Sequence, residues 1–298
     1  MNPLKIKRIL VPLDFSITSL KALDHAVTLA KLTDAEIILL HIAEYIHATT
    51  DPFFGINPGL AVYESDIKNM STESLNKVAE KLKKKGFVKV KTLSVTGRTH
   101  IEILRASKKI KADIIVMGTN GVSGFREFVM GSNTFSIVRD ALCPVLSVQR
   151  KSIANGFKNI LVPFSDMPHS REKVMYAIKI AELFDAKIHV LGIDDESTKS
   201  HLLKISREAE QIKKIIEKFG LKCNVKTISD SFNPKPVLSY AKKINADLIV
   251  TMGNINKQDI TEYFTGSFSQ QIINHSLIPV LSIQSSFNPA MVELWHGI

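Results

Sequence analysis

The sequence predicts an α/β protein made of two tandem, doubly wound parallel sheets, and three observations carry that prediction. Runs of Ile, Val and Leu at consecutive positions, such as Ile9-Leu10-Val11 and Ile114-Ile115-Val116, suit strands covered on both faces. These runs alternate with segments of helical period, the pattern of a doubly wound domain. The whole alternation then occurs twice. Arg8–Leu13 recurs as Asn159–Phe164 at an offset of 151 residues, and Cys143–Gln149 recurs as Ile278–Gln284 at an offset of 135. A chain of 298 residues is long enough to bury two cores.

The first strand is expected near Arg8–Leu13. A helix follows near Thr18–Lys31, because Leu23, Ala26, Val27 and Ala30 form a buried stripe that reappears as Val174, Ala177, Ile178 and Ala181. The second strand, near Glu36–His41, has its copy in Ala186–Leu191. Asp51-Pro52, Gly55 and Asn57-Pro58-Gly59 mark residues 44–60 as a long loop. Then come a helix near Leu60–Lys85, a strand near Lys89–Thr96, a helix near His100–Ile110 and a strand near Asp113–Gly118. A helix near Asn133–Asp140 and a strand near Pro144–Gln149 complete the half. Ala112–Met117 pairs with Ala246–Thr251 after a one-residue slip, and the second half is about sixteen residues shorter, mostly at the long loop. The expected domains are 1–150 and 155–286, joined near Lys151–Phe157. A tail, 287–298, carries the sole tryptophan, Trp295, and is expected to dock on a groove or a partner.

Composition narrows the class. A hydrophobic share of 45% and a charged share of 23% are those of an ordinary globular protein. No apolar run approaches the ~20 residues that span a bilayer, and the N-terminus reads as a strand entry rather than a signal peptide. Cys143 and Cys223 form no spacing motif, which points to a reducing compartment and a cytoplasmic location. The net charge of +10 raises nucleic acid as a partner. The local excess at Lys81–Lys91 has one aromatic, Phe87, and no reading helix, so a solvated helix end and edge strand is the preferred reading. Neither nucleic acid nor a membrane is expected as a partner.

The motif that carries chemistry is Gly118-Thr119-Asn120-Gly121, nine residues, then Gly131-Ser132. It follows the strand ending at Met117. In an open parallel sheet, ligands sit beyond the carboxyl ends of strands where the winding reverses. Glycine permits positive φ and close approach of backbone to a ligand. Gly131-Ser132-Asn133 opens a helix whose free N–H groups and positive dipole end favour an anion. The Ser132 hydroxyl can cap that helix or bind a phosphate oxygen. Asp14, closing the first strand, can accept a hydrogen bond from the sugar or base of a nucleotide. Arg126 is the favoured phosphate-reaching cation because it lies inside the nine-residue loop, ahead of Arg98 and His100.

With these residues the chain resembles the universal stress protein family, whose nucleotide-binding members share the glycine spacing matched by Gly118, Gly121, Gly131 and Ser132. The opening Ile9-Leu10-Val11-Pro12 with Asp14, the run Ile115–Gly118 and Cys143-Pro144-Val145 are similar too, and the resemblance extends once per half. It implies the strand order 3-2-1-4-5 of the adenine nucleotide alpha hydrolase-like fold. It implies ATP or a related adenine nucleotide in the crevice, with Mg2+ or Mn2+ as an accompanying ion, although no carboxylate cage is visible. Asp14 and the backbone around Ile42 would hold the adenosine end, Gly118 would lie near the ribose, and Gly121, Gly131, Ser132 and Asn133 would surround the phosphates, with Pro12 and Met117 completing the binding set. The last strands, Val145–Val148 and Val280–Ile283, become edges in this order, and in the family such edges pair between domains. An intramolecular pseudo-dimer is expected here, with a homodimer of chains left open.

The second half departs from the motif. Its echo is Met252-Gly253, Asn256 in place of the second glycine, then Gly266-Ser267, and Ser165 replaces Asp14 with Asp166 one residue late. Weak or absent nucleotide binding is expected there. No Walker loop, zinc helix or nucleophile elbow occurs. His41 beside the crevice, like His25 and His189, is read as packing or hydrogen bonding rather than as a base. A regulatory, stress-response nucleotide binder is therefore expected. The alternatives are a slow ATPase or phosphotransfer enzyme in the same crevice, and a nucleotide-independent interaction protein.

Overall fold

The computed structural model describes residues 5–44, 58–87, 89–119, 131–165, 172–194, 198–230, 234–253 and 268–284, with side chains of the second helix from residue 69 and of the fifth from residue 173. The first half runs β1 (Arg8–Pro12), α1 (Ile17–Thr33), β2 (Glu36–Ala43), α2 (Pro58–Lys84), β3 (Val90–Thr96), α3 (Thr99–Ile110), β4 (Ile114–Gly118), α4 (Ser132–Asp140) and β5 (Val145–Val148). The second repeats the plan as β6 (Asn159–Phe164), α5 (Glu172–Phe184), β7 (Lys187–Asp194), α6 (Lys199–Lys218), β8 (Cys223–Ser229), α7 (Pro234–Lys243), β9 (Leu248–Met252), α8 (Phe268–His275) and β10 (Val280–Ile283).

Within each half the strands are parallel and wound in the order 3-2-1-4-5. The two sheets then join into one of ten strands, β3-β2-β1-β4-β5-β10-β9-β6-β7-β8. The join is antiparallel, with Leu146 opposite Leu281, Ser147 opposite Val280 and Val145 opposite Ser282. The two halves thus run in opposite directions.

The duplication reaches the backbone. Asp34, Lys111, Asp185 and Asn245 all sit in the left-handed region at helix ends, with φ of 54°, 51°, 50° and 50°. It also gives the repeated Ala-Asp a purpose. The Asp113 carboxylate accepts from the N–H groups of Lys7 and Arg8 at 2.8 Å each, and Asp247 does the same for Lys158 and Asn159 at 2.7 and 3.1 Å. Each aspartate, at the start of the fourth strand, ties down the start of the first.

Two apolar layers cover the sheet. One is built on Val11, Leu23, Ala26 and Leu29 and their counterparts under α5 and α6. The other is built on Leu10, Ile115 and Ile137 and their counterparts under α7 and α8. Each layer is continuous across the join. Among the described residues no helix is long and apolar enough to cross a membrane.

The linker is fastened to the first half. His25 on α1 shares a 2.7 Å hydrogen bond with Ser152, and Thr28 donates to the Ala154 carbonyl at 3.2 Å. Phe157 stacks on His25 and meets Phe184 of α5 edge-on, so one aromatic bridges both halves.

Candidate functional site

The crevice of the first half forms where β1 and β4, neighbours in the sheet, end and their chains leave for opposite faces. Leu10 lies opposite Ile115, so Pro12 and Met117 each stand two residues further along, at the floor of the crevice. Both are buried.

Asp14 stands on the turn from β1 into α1. One carboxylate oxygen accepts from the Ser16 N–H at 3.0 Å, and Ser16 in turn caps α1 by accepting from the Ser19 N–H at 3.2 Å. The other Asp14 oxygen has no hydrogen-bond partner among the described residues, and the side chain is half-buried. Phe15 holds this turn with a φ of 62°, a conformation costly for a bulky residue. His41 steadies it. Its ring lies 4.9 Å from Phe15, and its Nδ1 donates to the Leu13 carbonyl at 2.6 Å. That is the hydrogen-bonding role expected for His41.

Ile42 contributes backbone. The Leu40 carbonyl accepts from the Leu13 N–H, so Leu40 faces β1. Backbone direction alternates along a strand, hence the Ile42 N–H and C=O face the same side, beyond the point where β1 has turned away. Among the described residues, the β1–β2 pairing stops at Pro12 and Leu40, short of them.

Gly118 and Gly131 are glycines for different reasons. A Cβ on Gly118 would lie 2.8 Å from Thr18 Cγ2 and 3.0 Å from the Thr18 carbonyl carbon, so the end of β4 presses on the first turn of α1. Neither residue has a positive φ, the freedom that the sequence led one to expect of Gly118. A Cβ on Gly131 would meet only the Thr119 carbonyl, at 3.6 Å, among the described atoms. Gly131 caps α4 with no side-chain hydrogen bond, its own N–H bound to the Thr119 carbonyl at 3.1 Å. The first N–H groups of α4 have no partner within the helix. Ser132 is exposed and Asn133 half-buried. Thr134 fastens the helix start through its hydroxyl, donating to the Thr119 carbonyl at 3.2 Å.

Pro12, Asp14, Ile42, Met117, Gly118, Gly131, Ser132 and Asn133 are thus placed around one crevice. Gly121 and Arg126 lie outside the described residues. Arg98 and His100 open α3 at the end of β3, three strand intervals from Gly118, about 14 Å at the usual spacing. Among the described residues no group of three or more His, Cys, Asp or Glu gathers to hold a metal ion.

The second crevice corrects the repeat. Gly118 lies opposite Val148, and the copy of Val148, Ile283, lies opposite Met252. The Thr119 N–H donates to the Val148 carbonyl as the Gly253 N–H donates to Ile283. Gly253 therefore occupies the Thr119 position, and Met252, a buried core side chain, occupies that of Gly118. The expected match of Gly253 to Gly118 is one residue out, because the following loop is one residue longer. Asn256, Gly266, Ser267 and Asp166 lie outside the described residues. Gly253 is instead a packing glycine. A Cβ there would lie 2.7 Å from Gln284 Nε2 and 3.0 Å from the Val138 carbonyl of α4, to which Gln284 donates.

The second half also holds polar groups that sequence reading missed. Asp194, fully buried at the end of β7, pairs through Oδ1 with His201 Nδ1 at 2.6 Å and accepts from the Ser229 hydroxyl at 3.0 Å. His201 lies in the first turn of α6, whose cap is Thr198. Burial pushes the Lys173 amine, in the first turn of α5, down to about 7. The position matching Asp194 in the first half is Ala43, so no repeat pointed to the cluster.

Comparison with known proteins agrees with the fold. The pattern of the universal stress protein family matches residues 5–149 and again 156–284. Universal stress protein MJ0577 of Methanocaldococcus jannaschii is 34% identical over 157 residues, covering 49% of this chain and 96% of that protein. Universal stress protein YxiE of Bacillus subtilis is 34% identical over 146 residues, covering 48% of this chain and 98% of that protein. The crystal structure of a universal stress protein from Archaeoglobus fulgidus superposes with a TM-score of 0.74 at 20% identity, covering 96% of this chain and 99% of that one. The single-domain relatives thus match half of a chain in which the domain occurs twice, and the protein belongs to the universal stress protein family as a tandem member.

Proposed function

We propose that this protein is a regulatory adenine-nucleotide binder whose first domain, residues 1–150, holds ATP or a related adenylate, and whose second domain, 155–286, does not. The observation that carries this reading is Gly131. Nothing described in the protein forces glycine there, yet it opens a helix with uncapped N–H groups, the arrangement that receives a phosphate chain. The unpartnered Asp14 oxygen and the Ile42 backbone would take the adenosine end. Any Mg2+ or Mn2+ would be held by the phosphates and not by the described side chains. In the second half, Ser165 in place of Asp14 removes an acceptor, and Met252 stands where the first half has Gly118. The antiparallel pairing of β5 with β10 supports an intramolecular pseudo-dimer, in which each domain covers the other's bare edge.

Calorimetric titration of the full chain with ATP tests this reading. One site per chain is expected. Gly131→Val should weaken binding at least tenfold with an unchanged thermal melt. Two equivalent sites, or unimpaired binding by Gly131→Val, would overturn it.

A further inference from the structure

The topology gathers most of the chain's net positive charge at one end of one half. Strands β1 to β4 begin at the same end of the sheet, and α1, α2 and α3 finish there. The last turns of these helices, the turns that follow and the first residues of the strands carry twelve lysines, all exposed, against three carboxylates, Asp34, Glu36 and Asp113. The matching end of the second half carries six lysines and four carboxylates. The formal net charge is +10, so this one end supplies nearly all of it.

Helix dipoles explain a cation or two at each helix end. They do not explain Lys5, Lys7, Lys89 and Lys91, which lie at or before strand starts. Nor do the acids neutralise the face. Asp34 and Glu36 are taken by Lys89 and Lys91, Glu80 just before the last turn of α2 by Lys83, and Asp113 by two backbone N–H groups.

The rest of the surface indicates what would sit on it. Its aromatic, Phe87, is half-buried, so no exposed ring among the described residues of this face offers a base-stacking platform. Leu32 in the last turn of α1 is 49% exposed, and Leu142 in the α4–β5 turn, at the same sheet end, is 79% exposed. Lysines interleaved with exposed leucines match an anionic lipid surface better than a nucleic-acid backbone, which has no use for the leucines.

We propose that this face docks on anionic membranes, with its lysines on headgroup phosphates and Leu32 and Leu142 at the headgroup–acyl boundary. This revises the expectation that a membrane is no partner, and it is independent of the nucleotide site.

Co-sedimentation of the full chain with phosphatidylcholine vesicles, with and without about a third phosphatidylglycerol, tests the proposal. Binding is expected only to the anionic vesicles and should weaken with salt. Each lysine at such a surface is worth about a factor of five, so alanine at Lys5, Lys31, Lys85 and Lys109 together should weaken binding on the order of several-hundred-fold. Alanine at Lys158, Lys218, Lys222 and Lys243 should change it little. Leu32→Ser with Leu142→Ser should weaken vesicle binding with the thermal melt unchanged. No binding at low salt overturns the proposal, as does equal loss in the two lysine sets. So does tighter binding to mixed-sequence duplex DNA that depends on the same lysines and ignores the leucines.

Discussion

Acidification should loosen the first domain through one residue, His25. It is 2% exposed, bonded to Ser152 and stacked on Phe157, and burial, with Lys21 nearby, pushes its pKa from 6.5 down to about 4. The folded protein keeps the ring neutral, whereas the unfolded chain protonates it below about pH 6.5. Stability tied to this group is therefore full above pH 6.5 and is lost as pH falls toward 4. Between pH 7 and pH 5 the loss is about 2 kcal/mol. The measurement is urea denaturation at both pH values, followed by circular dichroism, for wild type and for His25→Leu with Ser152→Ala, which leaves no orphaned hydroxyl. Wild type should lose about 2 kcal/mol more than the variant. If the halves unfold separately, the difference should fall on the transition that includes α1. His189 and Lys173, both also lowered by burial, are present in both proteins and cancel. Equal pH sensitivity in the two proteins would refute a buried, neutral His25.

Gly118→Ala drives a methyl group into the α1 backbone and should cost about 1–3 kcal/mol in urea denaturation. Asp194→Ala removes the acceptor of these His201 and Ser229 hydrogen bonds and should destabilise by about 1–3 kcal/mol, read as a lower melting temperature. Ser147 and Ser282 bury hydroxyls with no hydrogen-bond partner at the join, so Ser147→Ala should be neutral or stabilise by up to about 1 kcal/mol. Asp14→Ala should weaken ATP binding roughly tenfold in calorimetry, the worth of a hydrogen bond to a charged group.

The fold was legible because its signals are local and repeated. Consecutive apolar residues mark buried strands, and the stripe at Leu23, Ala26 and Ala30 recurs intact in the second half. The helix start at Gly131-Ser132 was legible for the same reason. The sequence could not settle which glycine matched which, because a one-residue difference in a loop moves Gly253 from the Gly118 position to the Thr119 position. Only strand register, fixed by Val148 and Ile283, decides it. Gly118 looked like a ligand glycine, but its neighbour is Thr18, a hundred residues away in sequence. The Asp194–His201–Ser229 cluster has no motif spacing, and the His25–Ser152 bond spans 127 residues. Such contacts follow from packing and leave no local trace.

The antiparallel join has a consequence for orientation. The lysines lie where β1 to β4 begin, the far end from the first crevice, and because the halves run in opposite directions the second crevice opens at the lysine end. A molecule lying on a charged surface by that end would hold its intact crevice toward bulk solvent, where nucleotide enters and leaves unhindered, and would turn the altered crevice of the second half toward the surface. The molecule has a top and a bottom, set by the direction in which one duplicated half was turned over against the other.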